Sequence, residues 1–144
     1  MDTSRQAYVA EDLIAHRLQQ SGLLVAKPKF DQLGTDLLVF KAIGDGVKFC
    51  RIQCKGRSVA NANANVKIPV QYVTNGFIVF LYVEADAFNG ELYCFLANDV
   101  RSWKRNSKNE FTLHISRANY KSKLLAIPFY AFGSFSCGFL IYPP

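Results

Sequence analysis

The stretch GTDLLVFKAIGDGVKFCRIQCK, residues 34–55, decides the fold. Two strand-like runs, Thr35 to Ile43 and Val47 to Lys55, flank Gly44-Asp45-Gly46, a glycine-bearing hairpin turn. Alternation along the second run sends Arg51, Gln53 and Lys55 to one face and Cys50, Ile52 and Cys54 to the other. Polar atoms thus gather on a face that could otherwise be apolar. Simple symmetry about Asp45 sets Asp36 opposite Cys54, on the wrong face. A one-residue bulge at Gly44 or Gly46, or an asymmetric turn, moves its partner to Gln53 or Lys55. The shifted register is the one expected, because only it brings the aspartate to the amide and the ammonium.

On the N-terminal side, Ser4 to Gln20 has helical periodicity, with Thr3 or Ser4 available as N-cap and Gly22 placed to end the helix. Ala7, Glu11, Ile14 and Leu18 share one face, so Glu11 is an acid on an apolar stripe. A short strand is expected near Leu23 to Ala26. On the C-terminal side, Ser58 to Lys67 contains Asn61-Ala62-Asn63-Ala64-Asn65 and reads as a mobile loop. Gly76 to Val83, GFIVFLYV, has the continuous apolar content of a central strand buried on both faces. Further strands are expected at Glu91 to Leu96 and Phe111 to Ser116. Between them, Asn98 or Asp99 caps a short helix through Trp103, and Lys104 to Asn109 forms a basic loop. These elements predict an α/β or α+β fold, a central mixed sheet covered by helices.

With 144 residues, the chain suits one domain spanning 1–144. Lys and Arg number 17 against 11 Asp and Glu, and the resulting +6 favours a polyanionic partner. The four cysteines form no C-x-x-C pair and His16 and His114 lie far apart, so no structural zinc site is expected. No apolar signal core follows a basic flank at the N-terminus, and a reducing cytoplasm with free thiols is the expected setting. The uncharged run from Leu124 to Pro144 is broken by Pro128, Gly133 and Gly138. It is expected to serve the core and subunit contacts, not to span a membrane.

Two carboxylates, Glu11 and Asp36, with the Gln53 amide and the Lys55 ammonium, are the inventory for binding Mg²⁺ and orienting water against a phosphodiester. Asp36 and Glu11 would be ligands, and the Cys54 carbonyl a third oxygen. Lys55 would orient or deprotonate the attacking water. Gln53 brings an oxygen without charge, leaving two formal negative charges where a Glu would give three. Singly, each position has a plainer reading. Glu11 pairs with a nearby cation, Asp36 caps the turn at Gly34, Lys55 snorkels from a strand end, and Gln53 is a solvated edge residue. It is the joint arrangement that favours the site. Arg57, Lys67, Lys104 and Arg105 lie in or beside loops, where they could meet phosphates or base edges or simply solubilise the surface. Lys27 and Lys29 share that ambiguity. Asp31 reads as a turn residue, His16 as exposed, His114 as structural and Trp103 as a hydrophobic anchor.

The order of a helix Glu11, then Gly34-Thr35-Asp36 entering a strand, then Ile52-Gln53-Cys54-Lys55 on the next, resembles the PD-(D/E)XK nuclease superfamily in its Gln variant, over roughly residues 1 to 58. The resemblance implies a restriction-endonuclease-like core, with metal ligands at Glu11 and Asp36, the variable acid position at Gln53 and the lysine at Lys55. Thr35 stands where the superfamily usually has Pro. Within the superfamily, the resemblance points to the homing endonucleases encoded in bacterial transfer-RNA introns. It therefore implies sequence-specific, Mg²⁺-dependent cleavage of double-stranded DNA. A Holliday-junction resolvase and a catalytically inactive DNA-binding module remain alternatives, the second because Gln53 replaces an acid. Cutting both strands needs two active sites, so at least a homodimer is expected. A homotetramer, held partly through Leu124 to Tyr142, would reach along a longer target.

Overall fold

In the computed structural model, which describes residues 4–30, 32–86, 89–123 and 127–128, helix α1 (Ser4–Gln20) opens the chain. It buries Ala10, Ile14 and Leu18, spaced by one helical turn each, and leaves Asp12, His16 and Arg17 exposed. The helix stops where the Gly22 N–H donates to the Gln19 carbonyl (3.0 Å) and the Leu23 N–H to the Leu18 carbonyl (3.3 Å), a Schellman arrangement.

The strands follow as β1 (Leu24–Ala26), β2 (Leu37–Ile43), β3 (Gly46–Ser58), β4 (Ala64–Pro69), β5 (Phe77–Asp86) and β6 (Asn89–Leu96). Helix α2 (Ala97–Arg101), β7 (Lys104–Arg105), β8 (Glu110–Ile115), helix α3 (Tyr120–Lys123) and β9 (Ile127–Pro128) complete the order. Six strands form one mixed sheet in the order β1-β2-β3-β5-β6-β9, parallel only between β3 and β5. The apolar run of β5 buries Phe77 to Leu81 between β3 and β6, as its composition predicts.

Helix α1 lies on one face, where Ile14 and Leu18 join Val39, Cys50, Ile52, Cys54 and Phe80 in a core. Each fully buried side chain of this kind contributes about 1.5–3 kcal/mol. The opposite face over β5 and β6 is covered by a second, antiparallel sheet of order β4-β8-β7. Its Val66, Ile68, Leu113 and Ile115 pack with Val79, Leu81 and Phe95. Among the described residues no helix is long and apolar enough to cross a membrane.

The β2–β3 hairpin resolves the register question. Ile43 pairs with Gly46, and pairing runs uninterrupted to Leu37 opposite Ile52. The turn is thus the two residues Gly44-Asp45, with Gly44 at φ +60°, a left-handed conformation that glycine adopts without strain. The shift arises from this off-centre turn, with no bulge, and one further step of the register sets Asp36 against Gln53.

Two expected loops are partly strand. Within Ser58 to Lys67, β3 runs on to Ser58 and β4 begins at Ala64, because Val66 and Ile68 alternate with exposed Asn65 and Lys67 and pay into the second core. Lys104 and Arg105 form the short β7 against β8. The short helix starts at least two residues earlier than expected and ends at Arg101, before Trp103; its N-cap is Leu96, whose N–H donates at 2.8 Å to the carboxylate of Asp99 in the first turn. The expectations for Thr3, for Asp31 and for the side chains of 124–144 fall outside the described residues.

Candidate active site

Asp36 stands where β2 and β3 part. Beyond Ile52, β3 loses β2 as a neighbour and continues along β5 to Ser58. The Asp36 N–H donates to the Ile52 carbonyl at 2.8 Å, and the Asp36 carboxylate accepts the Cys54 N–H at 2.8 Å. A side chain therefore takes the place of a missing ladder partner. In an extended strand the N–H and C=O of one residue point to the same flank, so the Cys54 carbonyl faces the Asp36 side.

The approach to Asp36 is held by Arg51, on the same face of β3 as Gln53. Its guanidinium donates to the Leu33 carbonyl (3.1 Å), the Tyr72 carbonyl (2.9 Å) and Thr74 Oγ1 (2.5 Å), and lies 5.1 Å from the Phe77 ring centroid. Burial lowers its pKa from the usual arginine value, yet the group remains a cation across the physiological range. Leu33 (φ +53°) and Gly34 (φ +69°) are consecutive left-handed residues in this loop. A Cβ on Gly34 would sit 2.5 Å from the Tyr72 ring and 3.2 Å from Gln53 Nε2, so backbone conformation and space both require glycine.

Gln53 is 8% exposed, and its Oε1 has no hydrogen-bond partner among the described residues. Leaving such an acceptor unpaired costs about 1–3 kcal/mol. A buried acceptor oxygen left without a partner is free to meet a ligand. Lys55 follows two residues later, half-buried, on the same face and in register with Leu81 of β5.

Glu11 reaches the same region from α1. The Cys54 thiol is pushed well above its ordinary range, first by burial and then by the charges of Asp36 and Glu11, with Lys27 opposing. The charge of each carboxylate is thus felt at Cys54, whose side chain lies in the α1 core, on the face of β3 opposite Gln53 and Lys55. Glu11 is ion-paired with Lys27, which follows β1 directly. Because Ala26 pairs with Leu38, Lys27 stands level with Leu37, beside Asp36. The sequence left Lys27 ambiguous; a lysine ending the strand antiparallel to the one Asp36 enters was the signal available. No group of three or more His, Cys, Asp or Glu side chains suited to a metal ion occurs among the described residues. Any hard cation here would need the amide and carbonyl oxygens to complete its shell.

The four cations expected to meet DNA have separate surroundings. Arg57 donates to the Asn65 carbonyl (2.9 Å) and the Gly56 carbonyl (2.7 Å), tying the end of β3 to β4, and burial lowers its pKa. Arg105 is bonded to the Asn109 side chain and lies 5.9 Å from the Phe111 ring centroid. Lys67 and Lys104 are brought together, both exposed and both in register with Thr112 of β8.

No protein-family model matches the sequence, and no curated protein is similar to it by sequence. Among the solved structures similar in fold are two nucleases. The bacterial homing endonuclease I-Ssp6803I aligns with a TM-score of 0.53 at 18% identity, over 80% of this chain and 78% of its own. The Holliday junction resolvase Hjc from the archaeal hyperthermophile Archaeoglobus fulgidus aligns with a TM-score of 0.55 at 11% identity, over 89% and 95%. At these identities the likeness establishes the fold, which is restriction-endonuclease-like.

Proposed function

We propose that this chain is a Mg²⁺-dependent endonuclease acting on double-stranded DNA, of the sequence-specific homing type, with Glu11, Asp36, Gln53 and Lys55 as its active site. The observation that carries the reading is the buried, unpartnered Gln53 Oε1 on the strand flanked by Asp36, whose carboxylate is held on the neighbouring Cys54 N–H. The residues present fit a hard divalent cation: Asp36 and Glu11 supply charge, and Gln53 Oε1 and the Cys54 carbonyl supply neutral oxygens. When bound, Mg²⁺ would polarise the phosphate and acidify water.

The chain's own groups do the rest. Lys55 orients the attacking water, or takes its proton, and offsets charge that develops on the phosphate. Arg51 keeps the Leu33–Asp36 loop in place, so the Asp36 carboxylate is aimed before substrate arrives. Lys27 holds the Glu11 carboxylate by an ion pair. With two carboxylates in place of three, divalent binding is weaker than a three-acid site would give.

Cleavage of both strands calls for a second copy, and the working particle in this reading is a homotetramer or at least a homodimer. The similarity to a Holliday junction resolvase over 89% of the chain favours a second reading, nicking of branched DNA recognised by shape. A cleavage assay on a randomised linear duplex library and on a four-way junction, each with and without Mg²⁺, tests both. Cutting of particular linear sequences only with Mg²⁺ supports the homing reading; cutting confined to the junction replaces it with the resolvase. No cutting of either rejects both.

A further inference from the structure

The outer face of the β4-β8-β7 sheet carries a polar ladder that the catalytic chemistry does not use. Side chains there alternate with the buried Val66, Ile68, Leu113 and Ile115. Asn65 pairs across the strands with His114, and the next row is Lys67, Thr112 and Lys104 side by side. Asn65, Lys67, Lys104 and His114 are exposed.

We propose that this face enters the major groove of duplex DNA and reads sequence, with Lys67 and Lys104 on phosphates and Asn65, Thr112 and His114 toward base edges. The inference rests on the nuclease reading and names the surface that would give it specificity. Charge is the first argument. Among the described residues no acid pairs with Lys67 or Lys104, and the one acid on that face, Glu110 at the end of the ladder, accepts the Asn106 amide at 2.9 Å. Two exposed cations flanking a threonine, with no acid paired to either, make a positive strip suited to a phosphate backbone.

Shape is the second argument. Strands about 4.8 Å apart make the Lys67-Thr112-Lys104 row roughly 10 Å wide, which suits a major groove about 12 Å wide that admits a β-ribbon. Chemistry is the third. His114 Nδ1 and Asn65 Oδ1 lie 2.8 Å apart, so the ring N–H donates to the amide oxygen and the pair is held upright. Its remaining polar groups are an amide NH₂ and a second ring nitrogen, the kinds of group that meet base edges. Position is the fourth: Arg57, two residues beyond Lys55 on the same strand, bonds the Asn65 carbonyl, so the ribbon is anchored beside the candidate site.

The test uses the full chain and a labelled 30-base-pair duplex of random sequence, read by fluorescence anisotropy across a salt series, with circular dichroism to verify folding. K67A/K104A should lower affinity roughly tenfold near 0.1 M salt and flatten the plot of log affinity against log salt by about two units. K67R/K104R should restore both. In selection from a randomised library, N65A/H114A should change the sequences that the wild type retains. A wild-type salt slope in K67A/K104A overturns the proposal, as does an unchanged selected sequence in N65A/H114A. Equal losses on a duplex RNA of the same length also overturn it, because the deep, narrow major groove of A-form RNA excludes side chains. A wild-type protein that binds no duplex removes the nuclease reading and this inference together. One that cuts DNA while the variants behave like it removes this inference alone.

Discussion

The Asp36 carboxylate holds the backbone N–H of Cys54 at 2.8 Å, at the point where β2 has ended and β3 continues without it. One side chain therefore closes the open flank of the strand and presents charge there. Asp36→Asn retains an oxygen for the Cys54 N–H, whereas Asp36→Ala leaves that donor unpaired, at a cost of about 1–3 kcal/mol. Urea unfolding should rank Asp36→Ala below Asp36→Asn by about 1 kcal/mol or more; equal stabilities would mean that the hydrogen bond contributes nothing.

Gln53 has the opposite character, because its orphaned Oε1 burdens the fold. Gln53→Leu removes a buried polar group at similar volume and should raise stability by about 1 kcal/mol. The same change should reduce Mg²⁺-dependent cleavage at least a hundredfold. A variant both destabilised and active would show that the amide serves packing.

Local signals made the first half of the fold legible. The Ala7, Glu11, Ile14 and Leu18 spacing marked α1, although the structure buries Ala10 together with Ile14 and Leu18, and the glycines at 44 and 46 marked the hairpin. The register was legible only as a condition, because Gly-Asp-Gly permits a positive φ on either side and the structure uses Gly44. A cation partner for Glu11 was legible as the plainer reading of that residue, but its identity as Lys27 was not, since it depends on how α1 lies across β1. Neither was the second sheet. Asn65 and His114 are 49 positions apart, and the asparagine-rich approach to β4 hides the Val66 and Ile68 alternation. Lys67 and Lys104 could be suspected singly, but only the pairing of both strands with β8 sets them in one row.

Alkaline conditions should weaken the fold through its thiols. Burial pushes Cys50 up to about 11 from an ordinary 9.0 and also raises Cys54 and Cys94. With the folded value above the unfolded one, this stability is complete below pH 9 and declines as pH rises toward 11, where the unfolded chain ionises first. Melting temperature should fall over that window, and less steeply in Cys50→Ala. A parallel fall in both would remove Cys50 as a contributor.

Assembly should be visible without DNA. Leu24, Phe40 and Phe49 lie side by side across β1, β2 and β3 on the face away from α1, with Leu24 71% and Phe49 58% exposed. Such a patch suits burial against a second copy. Sedimentation at micromolar concentration should give a particle near four times 16.2 kDa. A single 16.2 kDa species excludes the oligomer, and one of twice that mass excludes the tetramer.

The most direct test of the central claim is Mg²⁺-dependent cleavage of a randomised duplex library by the wild type, Asp36→Asn and Lys55→Ala, with folding verified by circular dichroism. Removing the charge of either residue while the fold persists should abolish cutting and leave much of the DNA affinity, because each acts on the reacting phosphate more than on the complex. Near-wild-type cutting by either folded variant would contradict the assignment of the active site to the fork between β2 and β3.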